Sequence, residues 1–260
     1  MPRYALLVEY DGTPFLGWQR QTTGLSVQQV LEDAAAPLNG GVPASSAASG
    51  RTDAGVHAEG QVVELTIAAD LPPLRVREAL NFHSRPHPVS VLKVARASEG
   101  WSARFSCIKR GYRYRILNRR ARPALLQGRV WHVQQPLDAA LMHQSAQPLL
   151  GHHDFSAYRA AACQAKHALR TLDRLDVVQA GEDIMVIAEA RSFLHHQVRN
   201  MVGTLVQVGL GKRKPDWPRL ILDARDRTLA GQNAPPAGLT FMFAQYKTGL
   251  PWADGLGTSE

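Results

Sequence analysis

Cysteine is nearly absent: Cys107 and Cys163 are the only two in 260 residues. They do not stand at the short spacing of a metal knuckle or a redox pair, so a reducing compartment, the cytoplasm, is the simplest expectation. No stretch approaches the roughly 20 apolar residues that a membrane-spanning helix needs. The opening segment, Met1 to Tyr10, lacks the basic start and long apolar run of a secretory signal. Low-complexity linkers and internal sequence repeats are also missing. Acidic charge is scarce in one half only. Residues 1–105 carry 9 Lys+Arg and 10 Asp+Glu, a net of −1, whereas residues 106–260 carry 21 and 12, a net of +9. A surplus needed only for solubility need not segregate in this way, whereas a polyanion-binding face often does; a merely solvated basic face is the alternative until a motif decides.

What is present reads as alternating strands and helices. Tyr4–Tyr10 is a β-prone apolar run ended by Asp11-Gly12. Ser26 with Gln29 fits a capping box, and Val27, Val30, Leu31, Ala34, Ala35 and Leu38 follow the helical period. Gly40-Gly41-Val42-Pro43 ends that helix. A short strand over 44–49, a glycine-flanked loop over 50–57 and a strand over 61–68 follow. A helix begins at Pro72-Pro73, and a strand covers 89–95. The order β-α-β-β-α-β is that of a ferredoxin-like or RRM-like unit.

In the second half, strands are expected at 110–117, 130–133, 170–178, 184–190 and 239–246. Helices are expected over 137–149, from His195 to Val208 and over 216–223. Strand alternation places Tyr112, Tyr114 and Ile116 on one face of the first of these strands, opposite Arg113 and Arg115. The fold class is thus α/β (α+β), with two ferredoxin-like or RRM-like lobes of mainly antiparallel sheet flanking a central cleft. The expected division is 1–105 and 106–260.

The loop Gly50-Arg51-Thr52-Asp53-Ala54-Gly55-Val56-His57 carries a carboxylate and a guanidinium between glycines that permit unusual backbone angles. By spacing alone this is either a turn held by an Arg–Asp pair or a site with a nucleophilic or basic carboxylate. Lys109, Arg110, Arg113, Arg115, Arg119, Arg120 and Arg122 form a basic run without an acid, and Lys212-Arg213-Lys214 is a second cluster. Such clusters contact phosphates without choosing sequence. His195-His196 invites a metal reading. It is set aside because adjacent histidines on a helix diverge and no carboxylate stands at ligand spacing.

The string GRTDAGVHA, residues 50–58, resembles the catalytic motif of the A-type tRNA pseudouridine synthases. Further segments resemble the same family in the same order. They are Tyr10-Asp11-Gly12 with Gly17-Trp18-Gln19-Arg20-Gln21, Phe105-Ser106 with Tyr112-Arg113-Tyr114, and Gly151-His152-His153-Asp154-Phe155 as a mid-chain turn. Phe193 to Asn200 and Ala237-Gly238-Leu239 complete the series. Gly111 and Gln197 depart from the family's usual residues. The resemblance implies isomerisation of uridine to pseudouridine at positions 38, 39 and 40 of the tRNA anticodon stem-loop. It implies a homodimer, without cofactor or metal. It makes Asp53 the nucleophile, Tyr112 the ring that stacks on the uracil, Arg199 the partner of Asp53, and Arg51 the residue beside the flipped nucleotide. Gln19, Arg20, Lys109 and Arg110 become RNA contacts. Two other readings compete. A non-catalytic RNA-binding protein on RRM-like lobes explains the charge but has no use for Asp53. A glycoside or nucleoside hydrolase needs a second carboxylate, and Asp11 and Asp154 both sit in turn contexts.

Overall fold

The computed structural model describes residues 1–161, 163–248, 250 and 252. The chain begins with β1 (Arg3–Tyr10), α1 (Val27–Ala34), β2 (Ser45–Ala48), β3 (His57–Thr66), α2 (Pro73–His83) and β4 (Val89–Arg96). It continues with β5 (Cys107–Asn118), β6 (Trp131–Val133), α3 (Ala139–Ala146), β7 (Gly151–Asp154), β8 (Leu169–Ala180) and β9 (Asp183–Ala190). The last elements are α4 (Gln197–Gly209), α5 (Trp217–Ala224) and β10 (Leu239–Tyr246). Two compact units result: Met1–Arg110 with Phe241 onward, and Gly111–Thr240. The division falls inside β5 rather than at 105/106, and the closing strand belongs mostly to the first unit. Among the described residues no helix is long and apolar enough to cross a membrane.

The first unit follows the order expected from its sequence. β1 pairs antiparallel with β3 and β4, and β2 pairs antiparallel with β3, giving β4-β1-β3-β2. Ser26 caps α1 by accepting the Gln29 N–H at 3.2 Å. The helix stops at Ala34, and a 3-10 turn over Ala36–Leu38 holds the last apolar residue of the periodic run. One edge of β3 is shared. β2 occupies only Val63–Thr66, and β10 lies against the remainder, with Met242 O close over Gly60. A ten-residue strand therefore has two short partners on one side, and the chain leaves β2 where β10 takes over.

The second unit contains β5-β9-β8-β7, with β6 parallel to β5. β8 and β9 form an antiparallel hairpin, and β7 pairs antiparallel with β8. In β5-α3-β8-β9-α4 the third strand lies between the first two, as β3 does in β1-α1-β2-β3-α2. The two units thus share an arrangement that no sequence repeat announces. α4 begins at Gln197, not His195, and nearly its whole length is buried. Its expected single apolar stripe of Val198, Met201, Val202 and Leu205 is only part of what it buries. The mid-chain turn at 151–155 is largely strand β7.

Candidate active site

The loop joining β2 to β3 is held residue by residue within the first unit. The Ser49 N–H donates to Val62 O at 2.8 Å, continuing the β2–β3 ladder past its last paired residue. The Ser49 hydroxyl donates to Gln61 Oε1 at 2.7 Å, and Gln61 Nε2 donates to Gly50 O at 2.8 Å. Gln61 is fully buried, so these two bonds satisfy a carboxamide that would otherwise destabilise the sheet. Thr52 is buried, and its hydroxyl meets that of Tyr10 at 2.7 Å. Its carbonyl accepts the Trp18 N–H at 3.0 Å. Beyond it, the Val56 N–H donates to Asp53 O at 3.1 Å and the Gly55 N–H donates to Phe15 O at 3.3 Å.

The glycines that matter most lie outside the loop. A Cβ on Gly12 would stand 2.1 Å from Val56 O, and one on Gly17 would stand 2.7 Å from Thr52 O, with φ at 91°. The segment 10–21 is therefore the backing against which 50–57 is pressed, and Gly12 and Gly17 permit the close approach. Gly55 has a positive φ of 75°. Gly50, expected to need special freedom, has no positive φ, and a Cβ there would make ordinary contacts with Phe241 and Arg110. Arg51 is exposed and Asp53 half-buried. A hydrogen-bonded backbone thus carries one exposed and one half-buried charged side chain.

Asp11 is a turn residue, as expected: its Oδ1 accepts from Thr13 N and Oγ1 at 3.0 and 2.6 Å. Gln19 and Arg20 are both exposed. Arg20 nevertheless pairs through Nε with Glu32 at 2.9 Å and through Nη2 with Asp33 at 2.6 Å. Lys109 is half-buried. Arg110 is buried, and its guanidinium donates to Ser49 O and Arg104 O. Arg110, one of the expected RNA contacts, is thus 9% exposed and bonded to two backbone carbonyls.

The second unit holds Tyr112 and Arg199. Tyr112 is 8% exposed and meets the Phe193 ring edge-on, with centroids 5.2 Å apart. Arg199, in the first turn of α4, is 9% exposed and donates through Nε to Ala234 O at 2.8 Å. The Tyr114 hydroxyl donates to Pro235 O, also at 2.8 Å. Burial raises the Tyr114 phenol, and the nearby Arg199 charge opposes that rise. A Cβ on Gly238 would stand 2.6 Å from Tyr114 Cζ, so the 234–238 segment fits closely under the tyrosine strand and the arginine helix. Asn200 also helps fix the start of the helix, donating to Tyr158 O at 2.9 Å and accepting from Arg227 at 2.9 Å.

His195 and His196 correct an expectation. Neither lies on the helix: His196 is its N-cap, in the left-handed region with φ at 62°. Their rings do not diverge but lie with centroids 4.0 Å apart. The basic run is also partly neutralised. Arg115 makes a two-pronged pair with Asp183 at 2.9 and 2.8 Å, and Arg119 pairs with Glu182 at 3.0 Å. The hydrogen bond from Arg115 is the main reason that the Asp183 carboxyl is held below the usual carboxylate range. Asp154 is likewise lowered, chiefly by the Ser156 hydroxyl in its turn. Arg120, Arg122 and Lys212-Arg213-Lys214 stand exposed. Sequence reasoning placed Tyr10 and Phe193 in family-like segments without giving them contacts, which are Thr52 and Tyr112, and it missed Gln61, whose only signal is a lone amide ahead of the apolar Val62-Val63.

A family model described as tRNA pseudouridine synthase matches residues 6–106 and 145–247. The matched segments include Asp53, Arg51, Gln19, Arg20 and Arg199, while Tyr112, Lys109 and Arg110 fall between them. The chain is similar to tRNA pseudouridine synthase A of Acidiphilium cryptum (strain JF-5), with 58% identity over 95% of this chain and 97% of the relative. It is 57% identical to the protein of that name from Paramagnetospirillum magneticum (strain ATCC 700264 / AMB-1), over 95% and 96%. With its counterpart from Rhodospirillum centenum (strain ATCC 51521 / SW) the identity is 53%, over 95% and 100%.

Proposed function

Because the chain belongs to the tRNA pseudouridine synthase family, we propose that it isomerises uridine to pseudouridine at positions 38, 39 and 40 of the tRNA anticodon stem-loop, with Asp53 as nucleophile. The observation that carries this reading is the fixed loop. A backbone hydrogen-bonded at Ser49, Gly50, Thr52, Asp53 and Gly55 presents a half-buried carboxylate. Pre-set geometry of this kind is what a displacement at a sugar–base junction needs.

The reaction breaks the bond from ribose C1′ to uracil N1, turns the base, and forms a bond from C1′ to C5. The proton leaves C5 and another is taken up at N1, so the product is an isomer. The detached base must stay in place while water is kept away. Tyr112 supplies a face for it, since stacking on an aromatic ring contributes roughly 1–3 kcal/mol per base. The edge-on Phe193 ring fixes the plane of that face. Extruding the nucleotide costs a few kcal/mol of stacking, and Arg51 stands on the Asp53 loop as the side chain to fill the vacated space. The family resemblance makes Arg199 the partner of Asp53, a guanidinium being suited to orient a carboxylate. Neither cofactor nor metal takes part. Gln19, Arg20, Lys109 and the exposed arginines beyond 119 contact phosphates. The working form is a cytoplasmic homodimer.

Asp53→Asn tests the reading. Incubated with unmodified tRNA transcripts, the variant should form no pseudouridine at 38–40 while binding tRNA within about twofold of the parent. Full conversion by this variant would dismiss Asp53 as nucleophile. Unchanged tRNA from a deletion strain would favour a binding protein.

A further inference from the structure

We infer that Arg110 is a positioning residue for the Asp53 loop rather than an RNA contact; the inference rests on the reading of Asp53 as nucleophile. Two of its donors converge on one acceptor: Nε and Nη2 reach Ser49 O at 2.8 and 2.6 Å. Nη2 also reaches Arg104 O at 3.0 Å. Ser49 is 1% exposed and immediately precedes Gly50. Its N–H is held by Val62 O and its hydroxyl by Gln61, so Arg110 takes the last of its polar groups. Ser49 is also the last residue bonded along the β3 backbone before the chain turns into the loop. The carbonyl there sets the direction of the next peptide, and with it the path toward Asp53. By holding Arg104 O as well, Arg110 ties the loop entry to the turn that leads into β5.

The chemistry explains why an arginine occupies this place. A planar guanidinium presents several donors in a fixed fork, whereas an ammonium is a compact charge with no preset plane. A charged donor on a backbone carbonyl makes a strong, short bond. A surface arginine would show neither this burial nor this convergence. Small displacements of a reacting group cost large factors in rate, on the order of 100-fold for about 1 Å. A loosened Ser49 carbonyl should therefore register at Asp53 without altering the surface that meets RNA.

The experiment compares Arg110→Lys and Arg110→Gln with the parent and with Asp53→Asn. Three measurements are made: single-turnover rate on a tRNA transcript, tRNA affinity across a salt series, and amide exchange. The expected result is a rate at least 10-fold lower with tRNA affinity within twofold and an unchanged salt slope. Exchange should quicken in 49–56 but not in 4–8 or 63–67. An unchanged rate overturns the inference. So does weaker tRNA binding with a salt slope reduced by about one, which is the mark of a lost phosphate contact. Exchange that rises throughout the first unit, or failure of both variants to fold, would make Arg110 a support of the fold alone. Activity in Asp53→Asn would remove the underlying reading. An inactive Asp53→Asn beside fully active Arg110 variants would remove only this one.

Discussion

The hydroxyl groups of Tyr10 and Thr52 meet at 2.7 Å in the interior of the first unit, so the residue between Arg51 and Asp53 is anchored on β1. Burial pushes the Tyr10 phenol up to about 12, against the opposing pull of the Thr52 hydrogen bond. An unfolded tyrosine ionises near ~10. The neutral buried phenol therefore contributes stability that is fully present below that pH and is lost as pH rises toward 12. Tyr10→Phe should cost about 1 kcal/mol at pH 7 and flatten the alkaline fall in stability, both readable from urea unfolding at stepped pH. The same variant should slow isomerisation several-fold with tRNA affinity unchanged.

Gly17→Ala should disable the site from a distance in sequence. Its Cβ would press on Thr52 O at 2.7 Å, from a backbone with φ at 91°. Gly40→Ala is the control, since a Cβ there meets nothing within 4 Å although φ is also positive, at 69°. Conformational strain alone costs about 1–3 kcal/mol. Thermal melting should show a loss in both, and activity should collapse only in Gly17→Ala.

Glu32 is buried on α1 and gathers four bonds. It accepts from Arg20 Nε at 2.9 Å, Gln28 Nε2 at 2.9 Å, and Ser46 N and Oγ at 3.2 and 2.8 Å. Hydrogen bonds to an ionised group contribute about 1.5–3 kcal/mol. Glu32→Gln keeps the shape but not the charge and should cost about 2 kcal/mol in chemical denaturation. Arg20→Ala should cost less, because Arg20 is exposed, but should weaken tRNA binding, which Glu32→Gln should not.

The Arg115–Asp183 pair supplies a pH test. Arg115 holds the Asp183 carboxyl below its ordinary value. Its contribution is therefore present above about pH 4, the ordinary aspartate value, and is lost as pH falls through the lower folded value. Both side chains are about a third exposed, so solvent screening limits the contribution to about 0.5–1 kcal/mol. Asp183→Asn should be less stable than the parent by that amount at pH 7, and the gap should close as acid unfolding is approached.

Activity should survive dialysis against EDTA. A loss restored by a divalent cation would contradict the cofactor-free reading and direct attention to His195 and His196.

Much of the scaffold was legible because local rules and tertiary packing agree. The Ser26 cap, the Pro73 start of α2 and the limits of β10 all follow from residues within one turn or strand. The candidate site is read only by resemblance: spacing alone left Arg51 and Asp53 as a possible turn. What escaped depends on distant partners. Arg110 stands in a basic run that reads as surface, and only the fold brings it to Ser49. Gln197, Arg199, Asn200 and Thr204 look like a polar face of α4. They are buried because backbone groups meet them, as Leu194 N and Ala234 O do. β7 is a short polar strand whose pairing with β8 no local pattern reveals. The shared arrangement of the two units is likewise carried by topology and not by sequence identity.

The edge of β3 shared by β2 and β10 has a consequence for biosynthesis. The unit bearing the Asp53 loop is assembled from both ends of the chain, whereas Gly111–Thr240 is contiguous. On the ribosome the N-terminal part usually folds first. Here the intervening segment can be complete while its predecessor still waits for residues 241–246. Until those residues emerge, the fork from which the loop departs lacks one side.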